Sequence, residues 1–209
     1  MECCGYGGRV TAYAAVVLAG GAARRMGGRD KPALPVGGRP MRERVLAAVA
    51  DATPRVLVGP AGPVPAGVLV TREDPPGGGP VAATAAGLAL LDPGTTTTTV
   101  ALLAADLPLL TRDALGELLG ALAGEHDGVC LLDDAGRRQP LCGVWRVRPL
   151  RAALDRLAVR RGGTLDGASM RQLLGELAVR ELPWSGSGPP PWFDCDTDLD
   201  VRRAEEWTR

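Results

Sequence analysis

Aromatic residues are scarce in this chain: one Phe, two Tyr and four Trp make up 3% of its 209 residues. The interior is therefore left to Ala, Val and Leu, a packing that suits parallel α/β sheets better than an aromatic-rich β-sandwich. Excess charge of either sign is also missing, with 24 basic against 24 acidic residues, so bulk attraction to nucleic acid is not expected. Apolar residues reach 45%, which argues against disorder. No apolar run approaches the length of a membrane-spanning helix. Met1–Ala12 has neither the basic start nor the apolar core of a secretory leader. Together these absences predict a cytoplasmic protein without a membrane partner. The five cysteines, Cys3, Cys4, Cys130, Cys142 and Cys195, contain no CxxC pair, which argues against a zinc site or a disulfide framework. His126 is the single histidine, and within Glu125-His126-Asp127-Gly128 it reads as a loop residue rather than a general base.

What is present is apolar punctuation. Tyr13–Ala19 is a compact apolar run stopped by Gly20-Gly21, the pattern of a buried parallel strand. Further strands are expected at Arg55–Val58, Val68–Val70, Val100–Ala105, Val129–Leu132 and Gly143–Val147. Helices are expected at Arg42–Ala50, Thr84–Leu91, Asp113–Leu122 with Thr111 as its cap, around Leu150–Leu157, and at Asp200–Trp207. Strand–helix alternation of this kind predicts an α/β fold with a single doubly wound, mostly parallel sheet. Residues 1–12 read as a flexible N-terminal extension and residues 13–209 as one domain, with no internal repeat. Ser185–Pro191 reads as a surface loop.

The strongest local signal is Leu18–Lys31, LAGGAARRMGGRDK. A buried strand runs directly into paired glycines, then arginines, then a lysine. Glycines let the backbone pass close to a phosphate chain with its N–H groups turned inward. Arg25 and Lys31 add full positive charge against a polyphosphate. The place is also suitable, because ligands of open α/β sheets sit beyond the carboxyl ends of the strands. A P-loop is excluded, since Lys31 is followed by Pro32, and the GxGxxG dinucleotide fingerprint is absent after Gly20.

Asp106 follows the apolar run VALLAA and precedes Leu107-Pro108. A carboxylate leaving a buried strand at the ligand edge is suited to hold Mg²⁺, which takes one or two carboxylates with phosphate oxygens and water. Asp74 stands before the Gly/Pro-rich segment Pro75–Val81.

The ordered set LAGG-x(3)-RMGG-x-DK, Asp74 with GGPVAA at Gly78–Ala83, AADLP at Ala104–Pro108, RQPLCGVWR at Arg138–Arg146 and DCDTDLD at Asp194–Asp200 closely resembles the molybdenum cofactor guanylyltransferase (MobA-like) family of the NTP-transferase superfamily. The resemblance runs through nearly the whole chain from Ala14. It implies a Rossmann-like nucleotidyltransferase that moves GMP from GTP to molybdenum-bearing molybdopterin and releases pyrophosphate. Arg25, Lys31 and Asp106 are the implied catalytic residues. The implied nucleotide site is Leu18, Ala19, Gly20, Gly21, Arg25, Lys31, Asp74, Gly79 and Asp106. Mg²⁺ is the implied cofactor, on Asp106 with Asp196 as a second candidate ligand. Gln139, Pro140 and Arg171 fall on the implied acceptor side, and molybdoenzyme-maturation proteins are implied partners.

The chain departs from the family pattern in places. Ala23 replaces a Ser, Gly59-Pro60 stands where relatives often carry Asn, and Asp194 and Asp196 replace residues that are commonly Asn. Asp196-Thr197 reads equally as part of a metal shell or as a helix cap. Two other readings follow from the same residues. One is a related transferase using CTP or a sugar phosphate, against which RMGG-x-DK speaks. The other is a nucleotide-binding regulator without turnover, against which Lys31 and Asp106 speak.

Overall fold

The computed structural model describes residues 12–20, 30–60, 62–92 and 97–209. The expected extension at 1–12 lies outside them except for residue 12. Nine strands occur among these residues: β1 (Tyr13–Leu18), β2 (Pro35–Val36), β3 (Arg39–Pro40), β4 (Arg55–Val58), β5 (Val68–Thr71), β6 (Thr99–Ala104), β7 (Gly128–Leu132), β8 (Arg138–Arg146) and β9 (Val179–Pro183). The helices are α1 (Met41–Ala48), α2 (Gly79–Ala89), α3 (Arg112–Ala121), α4 (Val147–Arg160), α5 (Met170–Leu174) and α6 (Asp198–Trp207), with a 3₁₀ turn at Lys31–Ala33.

Seven strands form one sheet in the order β5-β4-β1-β6-β8-β7-β9. β1 pairs in parallel with β4 on one side and with β6 on the other, and β8 alone runs against its neighbours β6 and β7. The chain thus leaves β1 toward one edge and returns to its other side at β6. This reversal opens a crevice at the carboxyl ends of β1 and β6, where ligands of open sheets bind.

Alternate residues of β1 feed two cores. Tyr13, Ala15 and Val17 pack with Val45 and Leu46 of α1 and with Leu115 and Leu118 of α3. Ala14, Val16 and Leu18 pack on the opposite face with Val81 and Leu88 of α2, Leu150 and Leu154 of α4, and Leu173 of α5. The central strand is buried along its full length, which explains its unbroken apolar sequence. The few aromatics are placed where room is made for them. Trp145 of β8 is fully buried, and a Cβ on Gly128 across the ladder would overlap its ring. Among the described residues no helix is long and apolar enough to cross a membrane.

Several boundaries differ from expectation for physical reasons. α2 begins at Gly79 rather than Thr84, because Pro80 is tolerated in a first turn whose N–H groups have no intrahelical partner. β8 begins at Arg138 rather than Gly143, and a register shift at Cys130/Leu131 accommodates its start. α6 starts at Asp198, two residues before the expected Asp200, capped by Thr197. The two-residue strands β2 and β3, together with α5 and β9, were not expected. α5 has only five residues, and β9 is a partly exposed edge strand.

Candidate active site

The exits of the central strands are tied together before any functional side chain enters. The Ala105 N–H donates to the Leu18 carbonyl at 2.9 Å, and the Ala19 N–H donates to the Val58 carbonyl at 2.7 Å. Leu18 and Ala19 are buried, and Gly20 beyond them is exposed. Gly21 and Arg25 lie outside the described residues. The glycine-rich segment re-enters the described structure at Asp30 and the 3₁₀ turn that carries Lys31.

Lys31 is turned into the crevice. Its ammonium lies 2.5 Å from Asp106 Oδ2 and 2.7 Å from Asp196 Oδ1. The Lys31 and Asp106 side chains are 15% and 21% exposed, so this pair is largely shielded, whereas Asp196 at 47% faces solvent. Burial alone would lower the Lys31 ammonium, but Asp106 and then Asp196 outweigh it and hold it above its ordinary value. Asp194 is pushed up from the usual carboxylate range by burial, then by the charges of Asp196 and Asp106. Two carboxylates, Asp106 and Asp196, therefore share one ammonium.

Local structure explains why they meet. Asp106 leaves β6 in a turn whose Pro108 carbonyl accepts from Arg44 Nε of α1 at 2.8 Å. The Cys195 N–H donates to the Asp106 carbonyl at 3.2 Å, which pins the segment 194–196 against that turn. Behind it, Cys195 packs with Val36, Met41, Leu109 and Ala204 in a small separate core. Burial, followed by the carboxylate of Asp106, pushes the Cys195 thiol up to about 12, so it is a packing group and not a nucleophile. Thr197 and Asp200 form a reciprocal cap, with Thr197 Oγ1 accepting from the Asp200 N–H at 3.2 Å and Asp200 Oδ2 accepting from the Thr197 N–H at 2.7 Å. Both readings of Asp196-Thr197 thus have a place here: Thr197 caps α6, and Asp196 sits on Lys31.

Two carboxylates converging on one cation position are a donor set that suits Mg²⁺, a hard ion that takes its remaining ligands from phosphate and water. Among the described residues no group of three or more His, Cys, Asp or Glu side chains is arranged to hold a metal by itself. A site shared with a nucleotide does not need one.

On the β5 side the two adjacent acids differ in burial. Asp74 is exposed, while Glu73 beside it is buried, with 7% of its surface open. Glu73 Oε1 accepts the Gly77 N–H at 3.0 Å. Gly79 opens α2 at φ +90, a conformation that favours glycine. On the other side, Gln139 donates to Asp133 Oδ2 at 3.1 Å and lines a cavity of about 280 Å³ with Trp192, Phe193 and Asp194. Pro140 follows it in β8, half-buried. Arg171 is not part of that cavity; it is exposed on α5, which packs against α2 and α4. Ser169 caps α5 through a reciprocal bond pair with Gln172, so the Ser169–Arg171 segment has a structural role of its own. A separate cavity of about 630 Å³ lies at the far end of the sheet, beside Thr97, Thr98 and the start of α4. Its Arg146 and Arg151 are engaged by backbone carbonyls.

A family model, the MobA-like NTP transferase domain, matches residues 15–179. The chain belongs to the MobA-like NTP transferase family. A molybdenum cofactor guanylyltransferase of Bradyrhizobium sp. (strain ORS 278) is 32% identical over 203 residues, covering 93% of this chain and 92% of that protein. One from Rhodobacter capsulatus is 33% identical over 201 residues, covering 94% and 96%. Among solved structures, molybdopterin-guanine dinucleotide biosynthesis protein A of Archaeoglobus fulgidus superposes with a TM-score of 0.69 at 22% identity, covering 92% of this chain and 96% of that one. The 2-C-methyl-D-erythritol 4-phosphate cytidylyltransferase of Thermus thermophilus gives 0.67 at 21% identity, covering 93% and 98%. The second pair shows that this MobA-like chain shares its fold with a cytidylyltransferase, so the fold alone does not select the nucleotide.

Proposed function

We propose that this chain transfers GMP from GTP to molybdopterin carrying molybdenum, releasing pyrophosphate. The observation that carries this reading is the Lys31 ammonium held between Asp106 and Asp196 at the mouth of β1 and β6. The curated relatives similar over nine-tenths of the chain are named molybdenum cofactor guanylyltransferases, which supports guanine over other bases.

In this reading a phosphate oxygen of the acceptor attacks the α-phosphorus of GTP in line with the departing pyrophosphate. The protein positions the reactants and stabilises charge rather than forming a covalent bond. Backbone N–H groups at Gly20 and Gly21 would face the phosphates. Lys31 and Arg25 would hold the leaving pyrophosphate. Mg²⁺ on Asp106, with Asp196 as a further ligand, would neutralise phosphate charge. Gln139 and Asp194 border the acceptor side, where the walls of Trp192 and Phe193 suit a flat heterocycle. The same reading expects a cytoplasmic enzyme that hands its product to molybdoenzyme-maturation proteins.

The test is nucleotide transfer with GTP, CTP, ATP and UTP, each labelled at the α-phosphate, in the presence of molybdopterin and Mg²⁺. Label from GTP should appear on the acceptor. Preferred transfer from CTP would replace the guanylyl assignment, and binding without transfer from any NTP would make the chain a nucleotide-binding regulator.

A further inference from the structure

The turn between β7 and β8 is built around one carboxylate. Asp133 Oδ1 accepts the Ala135 N–H at 2.9 Å and the Arg137 N–H at 2.8 Å, and Oδ2 accepts Arg137 Nε at 2.7 Å. The Asp133 N–H donates to the Arg137 carbonyl, and its own carbonyl accepts the Gly136 N–H, so the hairpin closes on itself. The Asp133 side chain is only 8% exposed. The Arg137 N–H, then the Arg137 guanidinium and the Ala135 N–H, outweigh desolvation and hold its carboxyl below the usual range.

Gln139 supplies the fourth donor, with Nε2 at 3.1 Å from Asp133 Oδ2. An ionised carboxylate can only accept, whereas an amide has one donor end and one acceptor end. The amide is therefore held one way round, with its NH₂ on Asp133 and Oε1 turned from it. Both residues line the cavity of about 280 Å³ bordered by Trp192, Phe193 and Asp194. Oε1 is thus the amide atom left for an occupant to meet. The wall beside it is braced, because the Phe193 ring meets Trp207 edge-on at 5.0 Å.

We propose that Asp133 is a positioning residue for the acceptor: it locks the Gln139 amide with its carbonyl oxygen toward the cavity, where that oxygen accepts from the exocyclic amine of a pterin. The inference rests on the molybdopterin reading given above. A pterin ring can lie against the aromatic walls while its amine, the donor that projects beyond the ring, reaches the amide. A heterocycle with a carbonyl in place of the amine would set one acceptor against another. Asp133 itself does not need to touch the acceptor.

The experiment is direct binding of pterin and of lumazine, which carries a carbonyl where pterin has the amine, followed by the fluorescence of the pteridine. Full-length wild type, Asp133→Asn, Gln139→Ala and the double variant are compared. Wild type should bind pterin about tenfold more tightly than lumazine, the range of one hydrogen bond. Asn at 133 keeps Oδ1 on the turn N–H groups and puts a donor where Oδ2 stood. Gln139 then turns over, and the preference should vanish or reverse. Gln139→Ala should abolish the preference, and adding Asp133→Asn to it should change nothing further, because Asp133 acts through Gln139. Equal wild-type affinity for the two pteridines, or a preference that survives either single variant, would overturn the inference. Neither arm uses a nucleotide, so those outcomes leave guanylyl transfer standing, and a preference for another NTP leaves the inference standing. Failure of wild type to bind either pteridine would remove the acceptor reading as well.

Discussion

Lys31 and Asp106, separated in sequence by a hairpin, two helices and three further strands, form an ion pair in which the ammonium also reaches Asp196. One ammonium is therefore shared by two carboxylates, which leaves a net negative charge for a divalent cation to meet. Replacing Lys31 by Met removes the ammonium without removing the aliphatic stem. Transfer from GTP should fall about 100- to 1,000-fold, the usual loss when one group stabilising transition-state charge is deleted. Steady-state pyrophosphate release checks this, and a loss under about tenfold would separate Lys31 from the chemistry.

The same variant makes a second prediction that needs no turnover. Without nucleotide, the ammonium and a divalent cation compete for Asp106 and Asp196. Lys31→Met should bind Mn²⁺ about tenfold more tightly than wild type, a modest gain because Asp196 is open to solvent and screened. Titration of free Mn²⁺ by electron paramagnetic resonance reads this directly. Unchanged affinity would mean that the two carboxylates are not the metal position.

Asp51 sits at the other end of the central strand and gives a pH test of stability. It accepts from the Tyr13 hydroxyl at 2.7 Å and from Arg112 at 2.8 Å. Burial would raise its carboxyl, but the Tyr13 hydroxyl, a backbone N–H and Arg112 outweigh burial and hold it below the usual range. A lowered folded value means the stabilisation is complete above the unfolded value of about 3.9 and is lost as pH falls through the folded one. Asp51→Asn should cost about 1 kcal/mol near neutrality, in the range of one hydrogen bond. In urea titrations the gap should shrink as pH falls below the unfolded carboxylate value of about 3.9; a gap that stays constant as the pH is lowered through the acid range would contradict the account.

Two Gly→Ala substitutions should act with opposite sign. On Gly128 the added methyl would run into the fully buried ring of Trp145, so the core must shift at a cost of about 1–3 kcal/mol. On Gly116, exposed within α3, nothing lies within 4 Å. There Ala should stabilise by about 0.5–1 kcal/mol through its better helix propensity. Denaturant midpoints distinguish the two.

Much of this architecture is legible in the residues, because β1 and β6 are buried on both faces and read as unbroken apolar runs. Thr111 is recognisable as a cap, and its side chain does accept from Ala114 at 3.2 Å. The reversed direction of β8 is harder to read, since an antiparallel strand in a buried position carries the same apolar residues as a parallel one. α5 is too short to show a helical period, and β9 at the edge is only partly covered. At the site, Lys31 and Asp106 are recognisable from their motifs, but their contact is made by the topology. Glu73 is hidden beside Asp74 because the chain has left β5 by then, and no strand alternation tells which of two adjacent acids turns inward. Gly21 and Arg25 remain expectations from the motif, outside the described residues.

The measurement closest to the central claim is pyrophosphate release from GTP, with molybdopterin and Mg²⁺, by wild type and by Asp106→Ala. The account predicts release by wild type and a loss of at least about 1,000-fold in the variant, with the thermal midpoint little changed. Release by Asp106→Ala at the wild-type rate would contradict it.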